Sequence, residues 1–192
     1  LVRNTDGTLC TTYRDDDVPF QGVRSFAVEE ATENLFDNSN IIFGYNWNGV
    51  NEIIDYSKAY SGKAVKSDTT MVEPENDVRG VGIRLANLVV GETYTLSFYF
   101  DVLESSYNVA NLRLYIYSLN QDMFTTPTSR RIEGNRAIVT FVANTTYTNF
   151  YVSWYRRISI IFYNIQLEQK SYATSFVVGS RPKGRLVIPV ED

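Results

Sequence analysis

The apolar residues of this chain come in short segments in which apolar and polar positions alternate, and no sustained helical stripe of apolar residues is present. From residue 34 onward these segments are bounded by Gly, Asn, Asp and Ser. Successive side chains of a β-strand point to opposite faces, so the alternation predicts strands with one buried face. Short strands separated by turn residues are typical of two packed antiparallel sheets. The pattern therefore predicts an all-β sandwich.

The alternation also predicts which residues of each strand face away from the core. In the segment 94–100 it buries Tyr94 and every second residue after it, and it leaves Tyr99 on the outer face. The outward residues of the segments 81–85, 112–117 and 150–155 include Arg84, Arg113, Tyr115, Tyr117, Tyr151 and Tyr155. The segment 158–167 is apolar almost throughout, which predicts a strand in the middle of a sheet.

The composition excludes several classes of protein. None of the 192 residues is His and one is Cys, so His general bases, zinc sites with His or paired Cys, and intrachain disulfides are excluded. The formal net charge of −4 and the pI near 5.0 argue against a nucleic-acid partner. The apolar runs are too short for a membrane span. No spacing marks a pair of glycosidase carboxylates, so we expect no enzyme activity.

Turn-forming residues divide the chain into three parts. Residues 1–33 are polar and predict an irregular N-terminal arm. Residues 34–176 hold the predicted strands of the sandwich. Residues 177–192 are expected to form a linker toward a further domain, because the segment 186–189 reads like a strand that is just beginning.

Several local motifs follow one another in a definite order. They are Asn34-Leu35, an Asn-rich segment with Trp47, Ser61-Gly62-Lys63, the segment 91–99 that reads GETYTLSFY, Gln166-Leu167-Glu168, and the segment 172–176 that reads YATSF. Over roughly Phe26 to Phe176, this order and spacing resembles the jelly-roll carbohydrate-binding modules of the galactose-binding-like class. It is more closely similar to the version of that domain found in bacteriophage tail and other virion proteins.

The resemblance implies a jelly-roll sandwich of two antiparallel sheets that binds glycan on its concave sheet or at its loops. It also implies a non-catalytic structural or interaction module of a phage virion protein, in the tail, a fibre or a head decoration. The partners would be other virion subunits or further domains of the same chain, host-surface carbohydrate, and further copies of the chain in a homo-oligomer. The alternative is a carbohydrate-binding module of a secreted bacterial polysaccharide-degrading enzyme, located outside the cell.

The outward aromatic and arginine residues form the candidate binding surface. Aromatic rings stack on the apolar C–H faces of sugars, and Arg donates charge-assisted hydrogen bonds. Protein interfaces are enriched in the same residues, and contact with protein is the favoured alternative. The candidates are Tyr99, Arg113, Tyr115, Tyr117, Tyr151, Tyr155, Arg84 and Trp47. For Trp47, in a loop-like stretch between asparagines, packing at the edge of the sandwich is the alternative to capping a sugar site.

Structural calcium is the candidate cofactor. Jelly-roll modules commonly hold Ca²⁺ between an acidic residue near the first strand and one on the last, and Ca²⁺ takes six to eight oxygen ligands. The resemblance implies Glu30 and Glu168 as these acids. Asn164 departs from the pattern, since many relatives carry Asp there.

Overall fold

The computed structural model describes residues 2–4, 31–47, 49–71, 79–105, 113–118, 123–125, 129–154, 158–181 and 184–186. These residues form the strands β1 (Val2–Asn4), β2 (Thr32–Glu33), β3 (Phe43–Trp47), β4 (Val50–Asp55), β5 (Lys63–Asp68), β6 (Arg79–Ala86), β7 (Thr93–Ser105), β8 (Arg113–Ser118), β9 (Met123–Thr125), β10 (Ser129–Glu133), β11 (Arg136–Val142), β12 (Tyr147–Trp154), β13 (Ile158–Glu168), β14 (Ser180–Arg181) and β15 (Gly184–Leu186). No helix in this part of the chain has the length and apolar character needed to span a bilayer.

The strands form two main sheets, and every pair of neighbouring strands in them is antiparallel. The six-stranded sheet has the order β10-β11-β7-β13-β5-β4, and the five-stranded sheet has the order β3-β6-β12-β8-β9. Two short pairs, β1 with β15 and β2 with β14, bring the segments before and after the sandwich together. The protein is an all-β sandwich, as the sequence pattern predicts, of the jelly-roll type that the resemblance implies.

The two sheets pack on each other through one apolar core. Its members from the six-stranded sheet include Val65, Leu96, Phe98, Val139 and Phe162, and those from the five-stranded sheet include Val81, Ile83, Leu85, Phe150 and Val152. The ring of Phe98 lies 5.7 Å from that of Phe150 on the opposite sheet and 5.6 Å from that of Phe162. The predicted phase of the segments 81–85, 94–100 and 150–152 is confirmed, because Val81, Leu96, Phe98, Phe150 and Val152 are inward in both the pattern and the structure.

The prediction that residues 158–167 form a central strand is also confirmed. β13 lies between β7 and β5 and is buried over its whole length. Its pairing with β7 shifts register between Tyr163 and Gln166, and Asn164 has a φ of 51°. Asn tolerates this left-handed conformation better than most residues, so the bulge falls where the sequence can accommodate it.

Polar residues on the outer face of the six-stranded sheet are buried under residues 169–177, which we call the strap. The hydroxyl of Thr95 donates to the carbonyl of Lys170 at 2.8 Å. The side chain of Gln166 accepts from the backbone N of Val177 at 2.7 Å and donates to the carbonyl of Ser175 at 3.3 Å. These bonds satisfy polar groups that burial would otherwise leave unpaired.

The segment that enters the sandwich is joined to β13 in the same way. Asn34 Oδ1 accepts from the backbone N of Leu167 at 3.0 Å, and Asn34 Nδ2 donates to the carbonyl of Ile165 at 3.0 Å. Asn38 bonds both the N and the O of Ile165, at 2.9 and 2.7 Å. The backbone N of Asn34 also donates to Gly179 O at 2.7 Å. The bond to Gly179 crosses the predicted boundary 176/177, and a bond from the hydroxyl of Thr32 to Glu168 crosses the boundary 33/34.

Candidate functional site

The structure places the predicted surface residues on both sheets. Arg84 lies on β6, Tyr151 on β12 and Trp47 on β3, all in the five-stranded sheet. Arg113, Tyr115 and Tyr117 lie on β8 of the same sheet. Tyr99 lies on β7 of the six-stranded sheet, so it does not share a surface with the others. Tyr155 and Glu30 lie outside the described residues.

Backbone register aligns the predicted residues of the five-stranded sheet in rows across its strands. Tyr151 is paired with Tyr115 on one side and with Gly82 on the other. In the same way, Asn149 is the partner of Tyr117 and of Arg84. A further row joins Arg113 to Ser153, Gly80 and Trp47. Register partners in an antiparallel sheet share one face, so these positions define a single sheet face, which we call the five-stranded face.

Two glycines of the five-stranded sheet make room for the side chains of Tyr151 and Asn149. A Cβ atom on Gly82 would lie 2.7 Å from Cε1 of Tyr151, because the tyrosine ring lies across β6 at this point. A Cβ atom on Gly44 would overlap the side-chain amide of Asn149. Glycine lets side chains approach a backbone closely, so both side chains lie low over the neighbouring strands. Tyr151 and Asn149 are each 3% exposed.

Two polar side chains that the structure describes on this face are an exposed cation and a buried amide. The guanidinium of Arg84 lies 4.9 Å from the ring centroid of Tyr147, which holds it over an aromatic face. Within the described part of the chain, Oδ1 of Asn149 has no hydrogen-bond partner. A buried amide oxygen without a partner is costly, and this one is covered by the strand that holds Gly44. Strand alternation places Asn149 on this face, but the sequence does not predict that its side-chain oxygen lacks a hydrogen-bond partner among the described residues.

A second aromatic group lies on the outer face of the six-stranded sheet. Tyr163, Tyr99 and Arg136 are direct register partners on β13, β7 and β11. The rings of Tyr99 and Tyr163 stack with centroids 6.0 Å apart, and Arg136 lies 5.4 Å from the centroid of Tyr99. The ring of Tyr56 lies 5.2 Å from that of Tyr163. Because Tyr163 is 5% exposed and Tyr99 is stacked on both neighbours, this row acts as a cross-strand ladder that stabilises the sheet.

A carboxylate fixes one end of this ladder. Asp101 accepts hydrogen bonds from the hydroxyl of Tyr56 and from Nζ of Lys58, the latter at 2.8 Å. Burial acts to raise the pKa of Asp101, but the bonds from Lys58 and Tyr56 outweigh it and hold that pKa below its ordinary value. Burial and the nearby charge of Asp101 raise the pKa of Tyr163. Asp101 is therefore ionised and Tyr163 neutral near neutral pH.

Glu168, the second predicted calcium ligand, is held by hydrogen-bond donors. Its carboxylate accepts from the hydroxyl of Thr32, from Thr174 N at 3.0 Å and from Thr174 Oγ1 at 2.7 Å. Burial acts to raise its pKa, but the bonds from Thr32 and Thr174 outweigh it and lower that pKa.

The surroundings of Glu168 do not match a calcium site. A cavity of about 460 Å³ beside it is also lined by Lys170 and Arg181. The carbonyl of Ala31 accepts from Nζ of Lys170 at 2.6 Å. In the part of the chain that the structure describes, no cluster of three acidic, His or Cys residues is suited to a metal. Donors and cations around a carboxylate do not fit Ca²⁺, which requires several free oxygen ligands. Because Glu30 lies outside the described residues, the calcium site stays a prediction.

Fold and surface together define an antiparallel jelly-roll sandwich with an aromatic and polar face on its smaller sheet. No protein-family model matches this chain, and no curated protein matches it. Among solved structures, it is similar to a protein of Bacteroides thetaiotaomicron VPI-5482 named for sugar binding, with 12% identity, a TM-score of 0.40, and coverage of 76% of this chain and 90% of that one. It is also similar to the carbohydrate-binding module TmCBM27, from work on specific mannan recognition, with 13% identity, a TM-score of 0.37, and coverage of 75% and 98%. At this level of similarity neither protein assigns a role to a residue of this chain.

Proposed function

We propose that this protein is a non-catalytic carbohydrate-binding module that takes up a glycan on the five-stranded face. The observation that carries the proposal is the exposed guanidinium of Arg84, held over the ring of Tyr147 on a sheet face whose register rows also hold Tyr115 and Tyr117. A sugar offers partners to both kinds of group. Its hydroxyl groups accept hydrogen bonds from the guanidinium, and its C–H faces pack on rings.

The proposal gives different roles to the residues of this face. Tyr151 and Asn149 are buried, so they form the floor of the site. Arg84 is exposed and donates to sugar hydroxyls. Tyr115 and Tyr117, the register partners of Tyr151 and Asn149, are proposed to supply the stacking rings. Arg113 and Trp47 extend the site along the next row.

Three carboxylates support a binding function without catalysis. Asp68, Asp101 and Glu168 all have pKa values below their ordinary range, because hydrogen bonds to the ionised form outweigh the effect of burial. A glycosidase needs a general acid whose pKa is raised so that it carries a proton near neutral pH. These three groups are tuned in the opposite direction.

Two settings follow from the proposal, and both lie outside a cell. In a secreted enzyme the face would hold a polysaccharide, and in a phage virion protein it would hold a host-surface glycan beside contacts with other virion subunits. A glycan array that carries both plant or microbial polysaccharides and bacterial surface glycans separates the two. Size-exclusion chromatography tests the homo-oligomer that the virion setting implies.

The test of function compares the natural protein with Arg84→Ala, Tyr115→Ala and Tyr117→Ala on that array and by affinity electrophoresis. We expect each variant to bind about tenfold more weakly, the equivalent of about 1.4 kcal/mol. Tyr172→Ala, which removes an exposed ring from the strap, is the matched control and should bind normally. No signal on any glycan, or normal binding by all three variants with unchanged circular dichroism, would refute the proposal.

A further inference from the structure

The loop of residues 56–62, between β4 and β5, is closed by its own hydrogen bonds. The backbone N of Tyr56 donates to Gly62 O at 2.9 Å, and the backbone N of Gly62 donates to Ala59 O at 2.9 Å. Ala59 is buried and contacts the apolar cluster on the outer face of the six-stranded sheet. The loop therefore has a defined conformation that its own backbone maintains.

Side chains of the six-stranded sheet anchor this loop from below. Asn164, at the bulge of β13, accepts from the backbone N of Tyr60 at 2.8 Å and donates to the carbonyl of Lys58 at 3.4 Å. Asp101 on β7 holds the side chains of Lys58 and Tyr56. The position of Tyr60 is thus fixed before any ligand arrives, which lowers the entropy cost of binding.

The ring of Tyr60 is nonetheless 75% exposed, although it is stacked on Phe176. The two centroids are 5.3 Å apart and the rings are inclined by 24°. Phe176 belongs to the strap, which Gln166 holds through Val177 N at 2.7 Å and Arg136 holds through Thr174 O at 2.5 Å. Two aromatic rings on separately anchored segments therefore form one rigid strip, with most of Tyr60 open to solvent.

The charges of the loop are paired close to this strip. Lys58 lies 2.8 Å from Asp101, and Lys63 lies 2.6 Å from Asp55. Each of these two cations is matched by an acid, so the loop with Asp55, Lys63 and Asp101 is formally neutral. Neutral surroundings give no electrostatic attraction to a nucleic acid or an anionic membrane, and they favour an uncharged partner. Sugars meet this requirement and stack on exposed tyrosine.

We propose that Tyr60 and Phe176 form a second carbohydrate contact, for a neutral pyranose chain, on the six-stranded side of the sandwich. This inference rests on the proposed function and adds a site on the sheet opposite the five-stranded face. Two sites on opposite sheets let one module engage two glycan chains, or two stretches of one chain, and so gain avidity.

The experiment is a titration of the ¹⁵N-labelled full chain with neutral hexasaccharides, one each of the cello, manno, xylo, galacto and chito series, followed by NMR. We expect saturable shifts for the amides of residues 56–62 and 174–177. Tyr60→Ala should weaken binding at these amides about tenfold or more, and Tyr60→Phe should retain it because the ring remains. Tyr172→Ala is the control and should behave as the natural protein does.

The outcomes separate this inference from the proposed function. Shifts confined to β6 and β12 that Arg84→Ala removes would support the function and overturn the second site. Shifts confined to residues 56–62 and 174–177 would support the second site and overturn the proposed function. No shift with any sugar would overturn both. A shift of the loop amides with protein concentration alone, lost in Tyr60→Ala, would assign the ring pair to contact between copies and overturn the inference.

Discussion

The substitution Glu168→Gln tests whether the buried carboxylate at the end of β13 holds the chain that enters the sandwich to the strap. Glu168 is 1% exposed and accepts hydrogen bonds from Thr32, which precedes the sandwich, and from Thr174 in the strap. Glutamine keeps the shape and removes the charge. Its NH₂ group takes the place of a carboxylate oxygen that accepts from the hydroxyls of Thr32 and Thr174.

The expected loss of stability follows from these contacts. Oε1 accepts from both threonine hydroxyls and Oε2 from Thr174 N, so glutamine can keep all three bonds with its NH₂ at the first position and its oxygen at the second. What it loses is the charge, since a hydrogen bond to a charged group contributes about 1.5–3 kcal/mol and a neutral one about 0.5–1.5 kcal/mol. We therefore expect Glu168→Gln to lower the free energy of unfolding by about 1.5–3 kcal/mol near pH 7. Glu168→Ala, which leaves all three donors without an acceptor, should cost about 3–5 kcal/mol.

The pH dependence gives the sharper test. The folded-state pKa of Glu168 is lowered from the ordinary value of 4.5, so its ionised form stabilises the native state. This contribution is fully present above the unfolded pKa and is lost as the pH falls through the lowered folded pKa. The difference between the natural protein and Glu168→Gln should therefore be largest near neutral pH and should shrink below about pH 4.

Urea unfolding followed by circular dichroism, at about pH 7 and about pH 3.5, measures this difference. Glu33→Gln, an exposed neighbour on β2, is the control and should change stability by less than about 0.5 kcal/mol. Equal stability of Glu168→Gln and the natural protein near pH 7 would refute the hydrogen-bonding role. A deficit of the same size at both pH values would refute the role of the charge.

Other changes test the floor of the five-stranded face, the core and the calcium site. Gly82→Val places a Cβ 2.7 Å from Cε1 of Tyr151, and we expect lost glycan binding and about 1–3 kcal/mol of destabilisation in urea. Ser129→Val, at an exposed position of β10 in the other sheet, should change neither. Phe98→Ala removes a ring 5.7 Å from Phe150 and should cost about 3–5 kcal/mol, and a loss below 1 kcal/mol would contradict the described core. Calcium added after treatment with a chelator should leave Tm unchanged, since donors occupy the carboxylate at the end of β13, and a rise in Tm would establish a metal site.

The strands and their buried faces could be predicted because strand alternation is a local property. A residue such as Phe98 is inward in both the pattern and the structure, since its neighbours Ser97 and Tyr99 mark the opposite face. The pairing of strands is not local, and alternation says which face a residue occupies but not which sheet. Tyr99 therefore joins a ladder with Tyr163 in the six-stranded sheet, while Tyr151 lies in the other sheet.

The roles of the motif residues could not be predicted from the sequence either, because their hydrogen-bond partners are distant along the chain. Because jelly-roll modules commonly hold Ca²⁺ between an acid near the first strand and one on the last, the resemblance implies a calcium ligand in Glu168. Its partner Thr32 is 136 residues away, and only the closed sandwich brings the two together. Asn34 and Gln166 likewise bond backbone groups of the sandwich and the strap. In these three cases the residues of the shared motifs hold the entering segment, β13 and the strap together.

Exposure on a fixed backbone, rather than an outward position alone, distinguishes a binding tyrosine from a structural one in this protein. Tyr151 and Tyr163 face outward, but both are covered, and Tyr163 is stacked within a ladder. Tyr60 is the most exposed tyrosine among the described side chains, and its loop is anchored through Asn164. Replacing Asn164 by Gly tests this distinction, because Gly accepts the left-handed φ of 51° and removes only the anchor. Sugar contact at Tyr60 should then weaken while the fold persists, whereas unchanged contact would show that the anchored loop is not what makes this ring a binding residue.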